Sequence, residues 1–335
     1  MIPHSQPTVG QEELAAVARV LASGLLAQGR EVAAFEEECA AFVGRQFGVA
    51  VNSGTAALHL SLLCGGLGPG KRVILPAYSC AALLQAVTWT SATPCLVDCG
   101  DDYTIDPSEL PTGADAAIAV HLFGATSHIP EAPFVIEDLA QSIGGATGRA
   151  GHAAILSFYA TKLLTTGEGG MVLTDDAGLA EEIRDRRDYD NRDDFKPRFA
   201  YKMTEMQAAM GRVQLQRLPA FLAERQRIAG EYSRALAGLP VKLPNLESRV
   251  CFRYVVATPE REALAAYLEN EGVEAKRPIH RPLHHYTLDK CPKSEKAHME
   301  SLSLPVYPAL SSHNLGFVIE CVQRYFESVR QVPAI

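Results

Sequence analysis

The sequence predicts an α/β fold with a mostly parallel central sheet flanked by helices, plus a smaller C-terminal α+β domain. Short apolar runs bounded by Gly, Pro, Asp or Ser recur through the first half of the chain, and helical segments lie between several of them. Such alternation is typical of parallel sheets. A length of 335 residues fits one large domain with a smaller partner, which we place at 1–230 and 231–335.

Two amphipathic helices open the chain. Apolar side chains at helical spacing predict a helix over 10–22, with Thr8 and Gln11 as a capping box at its start. A second helix is predicted over 32–43, and Gly44 closes it.

Seven apolar runs are predicted to be strands, because most are too short for helices and end at turn-forming residues. They are 49–51, 72–75, 95–98, 116–121, 134–137, 154–158 and 171–174. Further helices are predicted at 55–64, 79–89, 177–188 and 205–235. The small domain is inferred from a second set of elements, a strand over 251–257 and helices over 259–271 and 313–329.

The composition narrows the class of function. Apolar residues make up 47% and charged residues 21%, which is ordinary for a globular protein with a sizeable core. The net charge of -8 lacks the basic footprint of a nucleic-acid-binding protein, and no apolar stretch is long enough to span a membrane. The first residues lack the pattern of a secretory signal. The eight cysteines form no Cys-x-x-Cys pair, so we expect reduced thiols, a cytoplasmic location and no metal site.

Lys162 is the most distinctive residue of the chain. It follows a short apolar strand and stands among small hydroxyl residues, ahead of a glycine-rich turn that ends at Gly170. Lysine is rare at buried positions unless its amine performs chemistry or meets a charge. One such task is a Schiff base with an aldehyde cofactor or a carbonyl substrate. Taken alone, a surface lysine on a strand-to-helix loop is the simpler interpretation.

Other polar residues follow predicted strands, and parallel strands bring their carboxyl ends to the edge of a sheet where ligands bind. The Ser-Gly-Thr sequence at 53–55 opens a helix and offers hydroxyls, close backbone approach and free N–H groups to a phosphate. Ser and Thr are also ordinary helix caps. Asp138 ends a buried strand, so its carboxylate needs a cation, either a protein arginine or a pyridinium nitrogen.

A lysine amine, a strand-end carboxylate and a phosphate cup together match the needs of pyridoxal phosphate. The carboxylate keeps the ring nitrogen protonated, so the ring can accept the electron pair of a broken C–H bond. A nicotinamide dehydrogenase does not fit, because the glycine-rich stretch 65–70 follows a helix and precedes a strand. A dinucleotide-binding loop requires the reverse order.

The chain resembles the DegT-type sugar aminotransferases, which are pyridoxal-phosphate enzymes of fold type I in the aspartate aminotransferase superfamily. The resemblance runs nearly end to end. It is most specific in the Glu-Asp-x-Ala-Gln and Ser-Phe-x-x-Thr-Lys motifs at this spacing. The matching stretches include 52–58, 120–124, 136–142, 157–162, 203–211 and 303–308.

The resemblance implies a role for each residue of the site. Lys162 would form the Schiff base with the cofactor and then move protons. Asp138 would pair with the ring nitrogen, and Gln141 would lie near the phenolic oxygen of the cofactor. The phosphate would be held by Ser157, Gly54 and Thr55.

The implied reaction is transamination. An amino acid, usually glutamate, charges the cofactor, and the amine then passes to a keto sugar, commonly a nucleotide-linked 4-keto sugar. A cyclitol or another cyclic ketone is an alternative acceptor. A dehydratase of the same family would carry histidine in place of Lys162, and a non-catalytic binding protein on this fold is a further alternative. The resemblance also implies a homodimer with sites at the subunit interface.

Two positions depart from the family pattern. Cys80 stands where an aromatic residue often stacks on the cofactor ring, and the nearby Tyr78 is a candidate substitute. Ala200 stands where an asparagine often reaches the phosphate of the neighbouring subunit. Further candidate substrate contacts are Tyr78, Glu168, His280 and Arg281. The sequence identifies neither the keto substrate nor the donor, nor the stereochemistry of amination.

Overall fold

The computed structural model describes residues 1–330, and its centre is a seven-stranded sheet. The strands are β1 (Phe47–Val51), β2 (Arg72–Pro76), β3 (Thr93–Val97), β4 (Ala116–Val120), β5 (Phe134–Asp138), β6 (Ala153–Ser157) and β7 (Gly170–Thr174). All seven predicted strands are confirmed, each within two residues of its predicted bounds. Their spatial order is β1-β7-β6-β5-β4-β2-β3, and only β7 runs antiparallel to its neighbours. The sheet is therefore mostly parallel, as predicted.

Six helices accompany this sheet. They are α1 (Gln11–Ser23), α2 (Arg30–Val43), α3 (Gly54–Cys64), α4 (Ala81–Trp89), α5 (Ala177–Arg186) and α6 (Glu205–Ala235). Side chains of β1 alternate between two cores, as the pleat of a strand requires. Val49 and Val51 pack in the core that includes α3, α4 and α5, whereas Ala50 packs in the core that includes α2 and α6. The sheet is thus covered by helices on both faces.

The first helix is capped differently from the prediction. Its N-cap is Gly10, and the N–H of Gly10 donates to the carboxylate of Glu13 at 2.8 Å. The predicted capping box of Thr8 and Gln11 is therefore wrong. The helix boundaries themselves are confirmed, as is the end of α2, where Gly44 adopts a left-handed φ of 85°.

The C-terminal part has its own small sheet and core. Strands β8 (Tyr254–Ala257) and β9 (Ser301–Leu304) pair antiparallel, with helices α7 (Arg261–Asn270), α8 (His284–Thr287), α9 (Pro292–Glu300) and α10 (Ser312–Arg330). The sequence did not predict β9, α8 or α9. The predicted boundary at 230/231 falls inside α6, whose Leu218 and Tyr232 lie in different cores. The division into two domains stays a prediction, and 331–335 lie outside the described residues.

The composition predicts reduced cysteines and no membrane-spanning segment, and both predictions can be compared with the described residues. All eight cysteines are free, since no disulfide joins any of them. Among the helices in residues 1–330, none is long and apolar enough to cross a membrane.

Candidate active site

The carboxyl ends of β1, β5 and β6 meet the amino end of β7 at one edge of the sheet. Because β7 runs antiparallel between β1 and β6, Gly170 lies opposite both Val51 and Ser157. A Cβ atom on Gly170 would stand 2.3 Å from the carbonyl carbon of Ser53, so only glycine allows this approach. The packing brings the segments that follow these strands into one cleft.

Asp138 ends β5 as a buried carboxylate without a cationic partner. Its Oδ1 accepts a hydrogen bond from the N–H of Ala140 at 2.9 Å. Among the side chains of residues 1–329, no Lys, Arg or His nitrogen lies within 4.0 Å of either oxygen. Burial raises the pKa of Asp138, against the opposing effects of the Ala140 hydrogen bond and the charge of Lys162. No arginine of the described part of the chain supplies the required cation, so the carboxylate suits a cationic group of a ligand.

Lys162 lies half-buried in the turn after β6. Its Nζ stands 5.3 Å from the centroid of the Phe252 ring and forms no hydrogen bond or ion pair with any residue in 1–330. Burial lowers the pKa of the ammonium, and the charge of Arg253 lowers it further, whereas Cys80 and Asp138 oppose the shift. A neutral, unpartnered amine is the form that attacks a carbonyl or takes up a proton. The interpretation as a surface lysine does not fit this environment.

The loop after β1 and the end of β6 form a cradle suited to a phosphate. The hydroxyl of Ser53 accepts from the N–H of Ala56 at 3.1 Å, so Ser53 is the helix cap. The N–H groups of Gly54 and Thr55 have no carbonyl one turn earlier and lie at the positive end of the helix dipole. A Cβ on Gly54 would stand 2.8 Å from the Cβ of Ser157. Glycine at this position therefore brings the Ser157 hydroxyl close to the helix start.

Gln141 lies in the segment after β5 and is oriented by a backbone contact. Its Oε1 accepts a hydrogen bond from the N–H of Phe123 at 2.9 Å. The NH₂ group of the amide consequently remains available as a donor. Phe123 has a φ of 55°, a conformation that costs energy for a residue other than glycine, and the hydrogen bond helps to hold it.

Glu137 stabilises the strand end that carries Asp138. Its two oxygens accept hydrogen bonds from three N–H groups in 148–151 at 2.7 to 2.9 Å, and from Nε2 of His121 at 3.1 Å. Because Nδ1 of His121 accepts from the N–H of Ser127, the proton of the ring lies on Nε2. Burial alone would raise the pKa of Glu137, but these hydrogen bonds lower it to about 2. The carboxylate is thus ionised and connects β4, β5 and the following loop.

Tyr78 does not replace the missing aromatic residue at Cys80. The Tyr78 ring is fully buried, packs against Tyr103 and Phe123, and its hydroxyl donates to the carbonyl of Ala297 at 3.4 Å. Both the predicted stacking role and the predicted substrate contact of Tyr78 are therefore wrong. Cys80 itself is the N-cap of α4, and burial of its sulfur raises the pKa of the Cys80 thiol.

The other candidate substrate residues lie apart from these contacts. Arg281 donates to the carbonyl of His285 at 2.8 Å and covers the ring of Tyr286 at 4.7 Å. His280 and Glu168 are exposed. In residues 1–330, no hydrogen bond or ion pair joins these side chains to Lys162, so their substrate role stays a prediction.

The histidine-rich stretch after 280 brings three side chains of metal-ligand type together. His284, His285 and Glu295 place ligand-type atoms within 4.8 Å of one another. One oxygen of Glu295 lies 3.0 Å from Nε2 of His284 and 2.5 Å from Nε2 of His285. His280 is not a member of this cluster. These hydrogen bonds account for the arrangement, and the absence of a metal from the reaction stays a prediction.

Sequence reasoning missed Arg253, on the segment leading into β8. An arginine inside the apolar run 251–257 was the available indication, because a charged side chain in a strand of a core needs a partner or a task. Its neighbour Phe252 lies beneath Lys162, a contact between distant parts of the chain that no local pattern predicts.

The residues of the cleft fit pyridoxal phosphate. Asp138 is a buried carboxylate that lacks a cation, as a protonated ring nitrogen requires of its partner. Lys162 offers an amine without a hydrogen-bond partner for the aldehyde. Gly54 leaves a space that even one methyl group would fill, beside the free N–H groups that suit a phosphate.

Comparison with known proteins agrees with this chemistry. The model of the DegT/DnrJ/EryC1/StrS aminotransferase family matches residues 7–323. The chain is 32% identical to the spore coat polysaccharide biosynthesis protein SpsC of Bacillus subtilis, over 96% of each chain. It is 32% identical to GDP-perosamine synthase of Caulobacter vibrioides, over 88% of this chain and 90% of that one. It is also 33% identical to dTDP-3-amino-3,4,6-trideoxy-alpha-D-glucose transaminase of Streptomyces venezuelae, over 95% and 93%.

Solved structures show the same similarity in three dimensions. DesV of S. venezuelae, crystallised in complex with a ketimine intermediate, superimposes with a TM-score of 0.87 at 33% identity and covers 94% of both chains. The aminotransferase TlmJ from Streptoalloteichus hindustanus superimposes with a TM-score of 0.90 at 28% identity, over 98% of this chain and 100% of that one.

Proposed function

The chain belongs to the DegT/DnrJ/EryC1/StrS aminotransferase family, and we propose that it transfers an amino group from glutamate to the keto group of a nucleotide-linked sugar. It is a pyridoxal-phosphate-dependent sugar aminotransferase. One observation carries the proposal: the buried carboxylate of Asp138 and the amine of Lys162 lie in the same cleft, close enough for each charge to affect the pKa of the other group.

When bound, pyridoxal phosphate supplies an aldehyde carbon for an amine and a ring that takes up the electron pair of a broken C–H bond. Asp138 holds a proton on the ring nitrogen, because its buried charge is stabilised by a cation there. Lys162 moves a proton between its Nζ and the substrate carbon. Its lowered pKa favours the neutral amine that this task needs.

The remaining contacts orient the cofactor. The N–H groups of Gly54 and Thr55 and the hydroxyl of Ser157 would hold the phosphate. The NH₂ group of Gln141 would donate to the phenolic oxygen, since its Oε1 already accepts from Phe123. Cys80 would lie beside the ring, where its sulfur would make favourable contacts with an aromatic system.

The choice of acceptor rests on the relatives. The names of GDP-perosamine synthase and of the dTDP-linked transaminase specify amino sugars carried on a nucleotide. Both relatives match along most of this chain, so a nucleotide-linked keto sugar is the proposed acceptor and glutamate the proposed donor. The 4-keto position follows from the family resemblance alone, since the name of the dTDP-linked relative places its amine at C3.

We propose further that the enzyme is a cytoplasmic homodimer with sites at the subunit interface. Eight free cysteines suit a reducing compartment. The dimer follows from the family resemblance, and light scattering of the active enzyme tests it. An active monomer would contradict it.

The reaction is tested in two separate steps. Protein loaded with pyridoxal phosphate is incubated with glutamate, and we expect a change in cofactor absorbance together with release of 2-oxoglutarate. The charged enzyme is then offered nucleotide-linked 4-keto sugars and cyclitol ketones. Amine transfer to a keto sugar supports the proposal, whereas transfer to cyclitol ketones alone, or inertness towards every amino donor, would refute it.

A further inference from the structure

A second cluster of positive charge lies beside the reactive lysine. A cavity of about 180 Å³ is bounded by Thr161, Phe252, Arg225 and Arg253, among others. Thr161 directly precedes Lys162 in the chain. The cavity therefore adjoins the cleft but lies on the side of the small sheet.

The two arginines of this cavity carry charges that no carboxylate of the described residues balances. In residues 1–330, neither Arg225 nor Arg253 has a carboxylate oxygen within 4.0 Å. Arg225 is buried and donates to two backbone carbonyls at 3.1 and 2.8 Å, while its Nε has no partner. The remaining charges of the wall are Lys276 and Glu274, which neutralise each other in an ion pair at 2.6 Å. The cavity thus has an excess of two positive charges.

His4 orients Arg253 and adds no charge. Its Nε2 lies 3.1 Å from Nη1 of Arg253 and 2.9 Å from Oγ of Ser303. A guanidinium can only donate, so Nε2 of His4 accepts and the ring is neutral. Burial, followed by the charges of Arg253 and Lys276, lowers the pKa of His4 to about 3. The imidazole stays neutral at physiological pH and does not offset the arginines.

The positive charge of Arg253 lies a short distance from the reacting amine of Lys162. Nζ of Lys162 and Cζ of Arg253 each lie 5.3 Å from the centroid of the Phe252 ring, so at most twice that distance separates them. The amine and the distal carboxylate of glutamate are five bonds apart and reach roughly 6 Å when extended. One hydrogen bond of about 2.8 Å then completes the span. The N–C bond of the guanidinium adds roughly 1.3 Å, so the donor spans about 10 Å from its amine to Cζ. That length nearly equals the largest separation the two contacts permit, and a donor whose amine lies at Lys162 reaches Arg253 with a carboxylate at any shorter one.

We infer that this cavity is the subsite for a carboxylate of the amino donor, with Arg253 as its principal ligand. The inference rests on the proposed transamination. Unbalanced buried charge is costly, and the donor and its oxo-acid product each bring a carboxylate that relieves the cost. The volume suits a carboxylate with part of its carbon chain, whereas a nucleoside diphosphate requires a larger groove.

The test separates the two half-reactions with Arg253→Gln, Arg253→Lys and the control Arg234→Gln. Arg234 is exposed on α6, so its variant removes one positive charge outside the cavity. For Arg253→Gln we expect the KM for glutamate to rise roughly 10- to 150-fold, the effect of losing one hydrogen bond to a charged group. The KM for the keto sugar should stay unchanged. Arg253→Lys, which keeps the charge, should lie between wild type and Arg253→Gln.

A binding measurement removes the dependence on turnover. Glutarate has two carboxylates and no amine, and its affinity for the loaded enzyme is measured by calorimetry. We expect Arg253→Gln to weaken glutarate as much as glutamate, and Arg234→Gln to leave both unchanged. Unchanged glutarate affinity in Arg253→Gln would overturn the subsite, as would an effect confined to the keto sugar. Either result leaves the proposed function standing if wild type still converts glutamate, whereas a wild type inert to all donors refutes the function itself.

Discussion

Gly54 is the residue for which the structure best predicts how much a substitution would weaken cofactor binding. In Gly54→Ala the new Cβ would stand 2.8 Å from the Cβ of Ser157 and 3.2 Å from its Oγ. Unstrained carbon contacts lie near 3.5 to 4.0 Å, so roughly 1 Å of separation is missing. The obstructing atom is attached directly to the backbone of β6 and cannot rotate away. The start of α3 must therefore move away from the end of β6.

The expected cost follows from this overlap. Inserting one methyl group into a close-packed site costs about 1 to 3 kcal/mol. Because the displaced atoms form the phosphate cradle, we expect the strain to appear in cofactor affinity, as an increase in Kd of roughly 5- to 150-fold. Titration of apoenzyme with pyridoxal phosphate, followed by cofactor absorbance, measures the change. Gly316→Ala is a matched control, because a Cβ on Gly316 in α10 meets no atom within 4 Å.

A double-mutant cycle tests whether the overlap is the cause. Ser157→Gly removes both the obstructing Cβ and the hydroxyl, and Ser157→Ala removes the hydroxyl alone. Gly54→Ala should weaken binding much less in the Ser157→Gly background than in wild type, and equally in the Ser157→Ala background. An equal effect in all three backgrounds, or no effect in wild type, would refute the steric reasoning.

Three further predictions concern the residues around the cradle. Lys162→Ala should abolish the absorbance band of the lysine-linked cofactor while calorimetry still detects cofactor binding; an unchanged band would remove Lys162 from its role. Asp138→Asn should change the Kd of the cofactor less than about tenfold but slow the glutamate half-reaction by roughly 100- to 10,000-fold, because a neutral amide no longer holds the ring nitrogen protonated. Rapid-mixing absorbance measures the rate of this half-reaction, and a near-normal rate would contradict the role of Asp138. Glu137→Gln should lower the free energy of unfolding, since in either orientation its NH₂ group faces two N–H donors. The pKa of Glu137 is about 2 in the folded protein against an ordinary 4.5. Above pH 4.5 this difference contributes about 3 kcal/mol to the free energy of unfolding. This contribution disappears as pH falls through that interval, so denaturant titrations should show wild type and variant converging from pH 6 towards pH 2, and a pH-independent difference would contradict the assignment.

The local sequence pattern was sufficient to predict most of the helices and strands. The strands β1 to β7 were predictable because each is a short apolar run between turn-forming residues, and α6 was predictable from its long amphipathic period. The strand β9 and the helix α8 were not, because the four residues of each contain too little periodicity to distinguish a strand from a helix or a loop. The helix α9 was missed because it is mostly polar, and Ala297 is its one buried apolar residue. The capping of α1 was predicted wrongly because a backbone N–H of glycine, with no side chain to indicate it, makes the contact.

The chemical identity of the site was also present in the sequence, but its surroundings were not. Lys162, Asp138 and residues 53–55 are residue types that suit one cofactor, and the order of strands implies that they meet. Whether Asp138 would instead pair with an arginine depended on which cations the fold places near it. Tyr78 was assigned to the cofactor on nearness in sequence alone, whereas its position after β2 turns the ring into the core.

By itself the sequence determined the fold class, the family and the residues that perform the chemistry, because those properties depend on residue type and spacing along the chain. Only the tertiary structure decided that Asp138 has no cation beside it among the described residues, that Gly54 presses against Ser157, and that Phe252 and Arg253 lie beside Lys162. The physical reason is that burial and unbalanced charge are properties of three-dimensional surroundings. Segments almost a hundred residues apart create the environment that makes Lys162 a reactive amine.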